Sequence, residues 1–599
     1  MIKQTRRGFL KEAGSYALAS SLAFGSGCAS RGKKPNILLI TIDALRADHL
    51  SCYGYHRNTS PNIDQLAREG VLFENCYSNM NITGPSLTSL FTGKYAKEHG
   101  VWFHDNRYMP YDGITLAHLL REGGYKTVGI SGYPAVVNKH LGFDRGFDSF
   151  RALRGNGENA DLFAEADAVT EYAMMQFETL KLQNKPFFVW IHYFDPHDPY
   201  APPDRFKNKF ADIDEFKDLP TFERDIYTEV SVDERRENKD FWISQYDSEI
   251  FFTDGEIRKV LNVVGTLFED TLVVLTSDHG EQMGEGEYCG FGHPSSMRDC
   301  LYHVPLIIRD NKHEGKRIKE LIQHFDVFST VTGMVGLRAP RGISSKDLGP
   351  LVRGDVSVIR EEVFGEVDRN AGCVIWTTNS DNELVKLDYT INRRRDYRKS
   401  IEDRVEELNK KSEHLNAVMI PENGSEMPVD NNGNVAQCSQ RYTWRADWGF
   451  RPVSYEFQTV HHLGSPGGDI VRHVVSQPYF TDEWCFDNRL WNILTLSRGS
   501  MWLWRVKGIG EDNKEQFTQW QYVDFVPTSE EQLRLSKIGP EEIVLKTEGN
   551  ERVSRALQQR LLKWAGKSVG LDVEYSDMLP VEALDRELQR KLKALGYVR

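Results

Sequence analysis

Three stretches of the chain are apolar almost without interruption and end in an acid. Lys33 to Ala44 reads Lys-Lys-Pro-Asn-Ile-Leu-Leu-Ile-Thr-Ile-Asp-Ala, Pro186 to Asp195 reads Pro-Phe-Phe-Val-Trp-Ile-His-Tyr-Phe-Asp, and Asp270 to Asp278 reads Asp-Thr-Leu-Val-Val-Leu-Thr-Ser-Asp. Continuous apolar runs of this length are expected of strands buried on both faces, as in a parallel sheet. Between them lie stretches with helical periodicity, Asn62–Glu69, Thr115–Glu122, Asn159–Leu182 and Phe241–Gly265. The alternation predicts an α/β fold, a mostly parallel sheet flanked by helices. Ligands collect at the carboxyl ends of strands in such sheets, where these runs place Asp and His.

Beyond about residue 345 the pattern changes to charged helical segments (Asn392–His414), a polar stretch (Pro421–Asn434) and nine of the twelve tryptophans. The chain is therefore divided into an N-terminal segment 1–33, a catalytic domain 34–345 and a smaller C-terminal α+β domain 346–599. Ser554–Gly566 and Glu582–Gly596 are expected to be helices packing back on the body. Trp444, Trp448, Trp484, Trp491, Trp502 and Trp504 supply either a stacking platform for a sugar or ordinary interior packing.

The first residues stand apart: Thr5-Arg6-Arg7-Gly8-Phe9-Leu10-Lys11 precedes a small-residue apolar stretch, Ala13 to Phe24. This order predicts a twin-arginine export signal and therefore a periplasmic or cell-surface location. Gly25-Ser26-Gly27-Cys28 is a candidate lipoprotein site, so the expected membrane attachment is through a lipid on Cys28 only. No later run approaches the roughly 20 apolar residues of a membrane span. The other seven cysteines lack CxxC spacing, and Cys289 and Cys300 are either a disulfide pair or buried thiols. A formal charge of −13 lacks the basic excess that nucleic-acid binding requires.

Asp43 and the pair Asp278-His279 are hard and borderline ligands at the ends of separate strands, and a divalent cation is the simplest reason to bring two carboxylates together there. For Asp43 alone, a helix cap is the competing reading. Thr83-Gly84-Pro85-Ser86-Leu87-Thr88-Ser89-Leu90-Phe91-Thr92-Gly93 places a hydroxyl just before a helix expected to start at Pro85. Free N–H groups at a helix start favour an incoming anion, and a metal-bound hydroxyl loses its proton more easily. Thr83 is thus a candidate nucleophile and metal ligand, with a plain N-cap as the alternative.

The order of these blocks, with His99-Gly100, then Asp195-Pro196-His197-Asp198-Pro199-Tyr200, then Ser277-Asp278-His279-Gly280-Glu281, resembles the sulfatase family of the alkaline-phosphatase superfamily. The likeness spans about Pro35 to Gly336, and the closing Leu592-Lys593-Ala594-Leu595-Gly596-Tyr597 is similar to the ends of many such proteins. The resemblance implies an alkaline-phosphatase-like fold and one divalent cation (calcium, manganese, magnesium or zinc), with Asp43, Thr83, Asp278 and His279 as its ligands. It also implies that His197 contacts the anion or the leaving group, against the reading of an ordinary loop histidine. His293 falls where the family places a Lys or His that protonates the leaving group, which makes it the candidate general acid.

The departures from the family pattern are chemical. Thr83 stands where sulfatases carry the Cys or Ser that is oxidised to formylglycine, so no formylglycine is expected. Leu87 replaces an Arg, Ala44 a second acid, and His279 an Asn. An Asp-Thr-Asp-His set instead resembles phosphodiesterases and phosphoglycerol or phosphoethanolamine transferases of the superfamily. Asn138-Lys139-His140-Leu141-Gly142 is only partly similar to a sulfatase Lys-Trp-His-Leu-Gly element. The expected activity is hydrolysis of a phosphate or sulfate ester on a small molecule or glycan, with Thr83 favouring phosphodiester or phosphomonoester cleavage. The alternatives are a true sulfuric ester hydrolase and an inactive surface binding protein. Expected partners are the ester substrate and the twin-arginine export machinery, with no nucleic acid.

Overall fold

The computed structural model describes residues 34–102, 113–155, 160–211, 238–268, 270–285, 291–293, 296–367, 372–379 and 382–390, with Arg235 and shorter stretches between 406 and 561. The export segment with Cys28, the 582–596 stretch, most of 392–414 and Trp448, Trp484 and Trp491 lie outside the described residues. Two units are distinguished along the chain, Met1–Pro35 and Asn36–Arg599, and every element below belongs to the second.

Its centre is an eight-stranded sheet in the order β10-β2-β9-β6-β1-β5-β3-β4. The strands are β1 (Asn36–Ile42), β2 (Val71–Tyr77), β3 (Lys126–Ser131), β4 (Ser149–Ala152), β5 (Phe187–Tyr193), β6 (Thr271–Ser277), β9 (Leu306–Arg309) and β10 (Lys316–Gln323); β7 (Gln282–Met283) and β8 (Phe291–Gly292) form a separate hairpin. Seven strands run parallel, and β9 alone opposes its neighbours β2 and β6. The three apolar runs are the central strands β5, β1 and β6, as their two-sided hydrophobicity predicts. Along β1 successive side chains enter opposite cores. Ile37 and Leu39 join Phe91, Leu116, Trp190 and Phe328, whereas Leu38 and Ile40 join Ile63, Phe177, Trp242 and Ile250. Helices α2 (Thr83–Thr92), α4 (Leu116–Glu122) and α7 (Val327–Met334) cover the first face; α1 (Pro61–Glu69), α5 (Ala166–Lys181) and α6 (Lys239–Leu267) cover the second. A short α3 (Ala96–His99) follows α2.

Register brings the central strands to a common end. Ile42 of β1 pairs with Tyr193 of β5 on one side and Ser277 of β6 on the other, so the residues that follow emerge side by side. After residue 362 the described regular structure is mostly strands, including a five-stranded sheet that contains Glu362–Val367, Gly372–Thr378 and Leu384–Thr390. That sheet abuts the catalytic body: Glu366 bridges Met80, and the Tyr302 hydroxyl donates to the Glu366 carbonyl at 3.0 Å. The structure corrects two helix bounds. The helix expected from Asn159 begins at Ala166, and the one expected at Pro85 begins at Thr83. The Cys300 thiol is free, and Cys289 lies outside the described residues.

Candidate metal and catalytic centre

Four side chains emerge together where β1, β6 and α2 meet, and each is buried: Asp43, Thr83, Asp278 and His279. The turn after β1 is tightly held. Asp43 N–H donates to the Tyr193 carbonyl at 2.9 Å, Leu45 N–H donates to Ser277 Oγ at 3.0 Å, and the Tyr246 hydroxyl of α6 donates to the Ala44 carbonyl at 2.8 Å. Ala44 itself sits at φ 55°, a left-handed conformation uncommon outside glycine, asparagine and aspartate, and its N–H donates to Asp278 Oδ1 at 3.2 Å. Buried Arg46 reaches across to the Glu281 carbonyl at 3.0 Å, joining this turn to the one after β6.

Thr83 is the first residue of α2, but its hydroxyl does not cap the helix. The hydroxyl faces Asp43 and His279 instead, with Thr83 Oγ1 3.4 Å from Asp43 Oδ1 and 3.2 Å from His279 Nε2. The capping alternative is therefore set aside in favour of the site. Ser86, one turn later, donates to the Asp278 carbonyl at 2.6 Å and meets His324 Nε2 at 2.9 Å. The start of α2 is thereby bonded directly to the turn that carries Asp278.

The tautomer of His279 follows from its partner. His279 Nδ1 lies 2.8 Å from the Gly280 carbonyl, which can only accept, so Nδ1 carries a proton and Nε2 is the nitrogen free to ligate. That Nε2 lies 3.5 Å from Asp43 Oδ1 and 3.5 Å from Asp278 Oδ2. Donors held at about 2.1 Å on one tetrahedral cation stand about 3.4 Å apart. The Thr83–Asp43, Thr83–His279, His279–Asp43 and His279–Asp278 separations match that spacing. Asp43 Oδ2 and Asp278 Oδ2 are buried and have no hydrogen-bond partner, a costly arrangement that a bound cation relieves. Burial raises the Asp43 carboxyl well above the ordinary aspartate range, and the charges of Asp278 and Glu281 raise it further. The donor set thus fits a divalent cation.

His197 and His293 form the outer part of the centre. His197 Nδ1 donates to the Asp198 carbonyl at 2.6 Å, which leaves Nε2 facing His293 Nε2 at 2.9 Å. Burial pushes the His197 imidazole down to about 4, so at neutral pH its Nε2 accepts and His293 carries the shared proton. The His293 ring lies 4.6 Å from that of His279, and His293 is only half-buried. All six sequence-predicted site residues are brought together. Asp195, by contrast, turns away, because its Oδ2 accepts the Ala166 N–H at 2.7 Å and so caps α5. Lys139 and His140 are exposed.

One residue escaped the sequence reading. His192 of β5 is buried, its Nδ1 lies 2.9 Å from Thr41 Oγ1, and its Nε2 lies 3.4 Å from Asp43 Oδ2. One ligand atom from each of Asp43, His192 and Asp278 lies within 4.8 Å of the others. A single histidine in an apolar strand reads as interior packing; only the pairing of Thr41 with His192 places it beside the acid of the neighbouring strand.

Comparison with known proteins finds one family. The family model described as Sulfatase matches residues 35–337. The uncharacterized sulfatase YidJ of Escherichia coli (strain K12) is 24% identical over 356 residues, covering 53% of this chain and 71% of that protein. The iduronate 2-sulfatase of Homo sapiens is 24% identical over 391 residues, covering 51% of this chain and 70% of that protein. Among solved structures, the phosphonate monoester hydrolase of Agrobacterium radiobacter shares 20% identity at a TM-score of 0.47, covering 63% of this chain and 95% of that one.

Proposed function

Because this chain belongs to the sulfatase family and is an ester hydrolase, we propose that its nucleophile is the Thr83 hydroxyl and that it favours phosphate mono- or diesters over sulfate esters. The observation that carries this reading is the aim of Thr83 Oγ1 at Asp43 and His279 rather than at its own helix. Oxidation to an aldehyde requires a Cβ bearing two hydrogens, as in Cys or Ser, and the Thr83 methyl group removes that route. The residue must act as an ordinary alcohol. A sulfothreonine would lack the hemiacetal route by which sulfate is released, whereas a phosphothreonine is open to attack by water at phosphorus.

Asp43, Asp278, His279 and Thr83 would hold the divalent cation, which when bound offsets the repulsion of the two carboxylates and lowers the proton affinity of a coordinated hydroxyl. Thr83 Oγ1, as the alkoxide with its proton already given up to solvent, attacks phosphorus in line, forming the threonine–phosphorus bond as the bond to the leaving oxygen breaks. His293 Nε2–H, oriented by His197, gives its proton to that oxygen. Water then attacks phosphorus opposite the Thr83 oxygen and gives a proton to His293 as the threonine–phosphorus bond breaks, which returns Thr83 and His293 to their starting states. Export by the twin-arginine route, with lipidation at Cys28, completes the reading and rests on residues 5–28 of the sequence. Among the described residues no helix is long and apolar enough to cross a membrane.

The test is turnover of nitrophenyl phosphate, bis-nitrophenyl phosphate and nitrophenyl sulfate by the full chain and by Thr83→Ala. Loss of phosphoester turnover by about 10³-fold or more in the variant is expected for removal of a covalent nucleophile. Activity indifferent to Thr83, or sulfate turnover exceeding both phosphate substrates, would refute it.

A further inference from the structure

We propose that His192 Nε2 is a further ligand of the cation, and that it biases the centre towards a nitrogen-preferring ion such as zinc over calcium. The inference rests on the reading that Asp43 and Asp278 hold a cation at all. Three buried atoms carry it: Asp43 Oδ2, Asp278 Oδ2 and His192 Nε2 have no hydrogen-bond partner, although each is a strong polar group in a dry interior. They converge. One ligand atom from each residue lies within 4.8 Å of the other two, and His192 Nε2 stands 3.4 Å from Asp43 Oδ2.

The far side of the imidazole has the backing expected of a ligand. Nδ1 lies 2.9 Å from Thr41 Oγ1, which also accepts the Trp190 indole N–H at 2.9 Å. In the tautomer whose Nδ1–H donates to Thr41 Oγ1, the Nε2 lone pair is turned towards the acids, the arrangement by which an outer hydrogen bond orients a ligand. The competing role, an Nε2–H donated to Asp43, predicts a charge-assisted contact of about 2.7–2.9 Å. The observed separation is longer by half an ångström or more and matches the edge between two ligands of one ion.

The chemical consequence follows from the donor count. His279 on one side and His192 on the other give the carboxylate pair two imidazoles, and β5 contributes to a centre otherwise built from β1, β6 and α2. Calcium takes oxygen donors and prefers six to eight of them, whereas imidazole suits zinc and its neighbours. The centre is therefore selective as well as metal-binding.

The experiment strips the full-length chain with chelator and titrates it separately with zinc and with calcium, reading affinity by competition with a chromophoric chelator. Wild type, His192→Gln, Thr41→Val and Asp43→Asn are compared, with unfolding curves confirming the fold. His192→Gln is expected to lower zinc affinity by about 10–100-fold, with little change for calcium and a smaller effect from Thr41→Val. Pulsed electron paramagnetic resonance of the copper-loaded wild type gives a count that needs no variant, with two coordinated imidazoles expected. One imidazole, unchanged zinc affinity in His192→Gln, or equal loss of zinc and calcium would overturn the assignment. Should the wild type bind no divalent ion, or Asp43→Asn bind as tightly as wild type, the underlying metal reading fails instead.

Discussion

Asp43→Asn should act with opposite signs on the ion-free and ion-loaded protein. Asp43 and Asp278 present buried oxygens within 4.8 Å of each other, and at an effective dielectric constant of about 20 two such charges repel by about 3.5 kcal/mol. Removing one charge relieves that repulsion in the ion-free state. The new amide N–H₂ has Asp278 Oδ2 and His192 Nε2 as nearby acceptors, so few bonds are lost. With about 2.1 cal/mol/K of unfolding entropy per residue over 599 residues, the relief corresponds to a rise of roughly 3 °C in the midpoint. An ion at one hundred times its Kd stabilises wild type by about 2.7 kcal/mol, and that shift should vanish in the variant. The pH dependence has a matching sign. The Asp43 carboxyl is raised, so ion-free wild type loses stability as pH climbs above the usual aspartate range, and the variant does not. The assay is calorimetric unfolding with and without chelator at several pH values. A lower midpoint for ion-free Asp43→Asn, together with an intact metal-induced shift, would refute the reasoning.

Two further outcomes follow from the same geometry. Gly280→Ala would place a Cβ 1.9 Å from the Cys300 carbonyl, where Gly280 N–H already bonds Leu301 O at 2.9 Å; the turn must open, and loss of bound metal with at least about 3 kcal/mol of destabilisation is expected from chelator titration and urea unfolding. His99 is buried, with Nδ1 accepting the Val101 N–H at 3.1 Å and Nε2 bonded to Ser89 Oγ at 2.8 Å, so burial holds it neutral, down to about 3. Its folded value lies below the unfolded one, so its contribution is complete above about pH 6.5 and is lost as pH falls towards 3, amounting to about 3 kcal/mol at about pH 4.5. His99→Gln should be less stable than wild type at pH 7 yet lose less on acidification, as urea unfolding at the two pH values will show.

Much of the centre was legible because its residues sit at strand ends with strong local patterns. Asp43, Asp278 and His279 close apolar runs that only a two-sided strand explains, and Thr83 opens a helix marked by Gly84-Pro85. β9 and β10 were harder, because Leu306–Arg309 has four residues and Lys316–Gln323 mixes exposed lysines and arginine with apolar positions, so neither shows the two-sided run. The start of α5 was misjudged for a tertiary reason: its cap is the Asp195 carboxylate, 29 positions downstream, which no local signal at Asn159 or Ala166 announces.

The sequence by itself determined the alternation of buried strands and covering helices, the family, and the identity of the residues that carry charge to the sheet's edge. Hydrophobic period and strand-end chemistry are local properties, readable without knowing the partners. The tertiary structure alone decided which face each of those residues meets. The register of Thr41 against His192 puts a third strand's imidazole beside Asp43, and Ser86 ties α2 to the turn of Asp278. Thr83 spends its hydroxyl on the site rather than on its helix because the α2 start abuts an acid 40 positions and a histidine 196 positions away along the chain. Such contacts depend on pairing between distant segments, and no pattern within one segment encodes them.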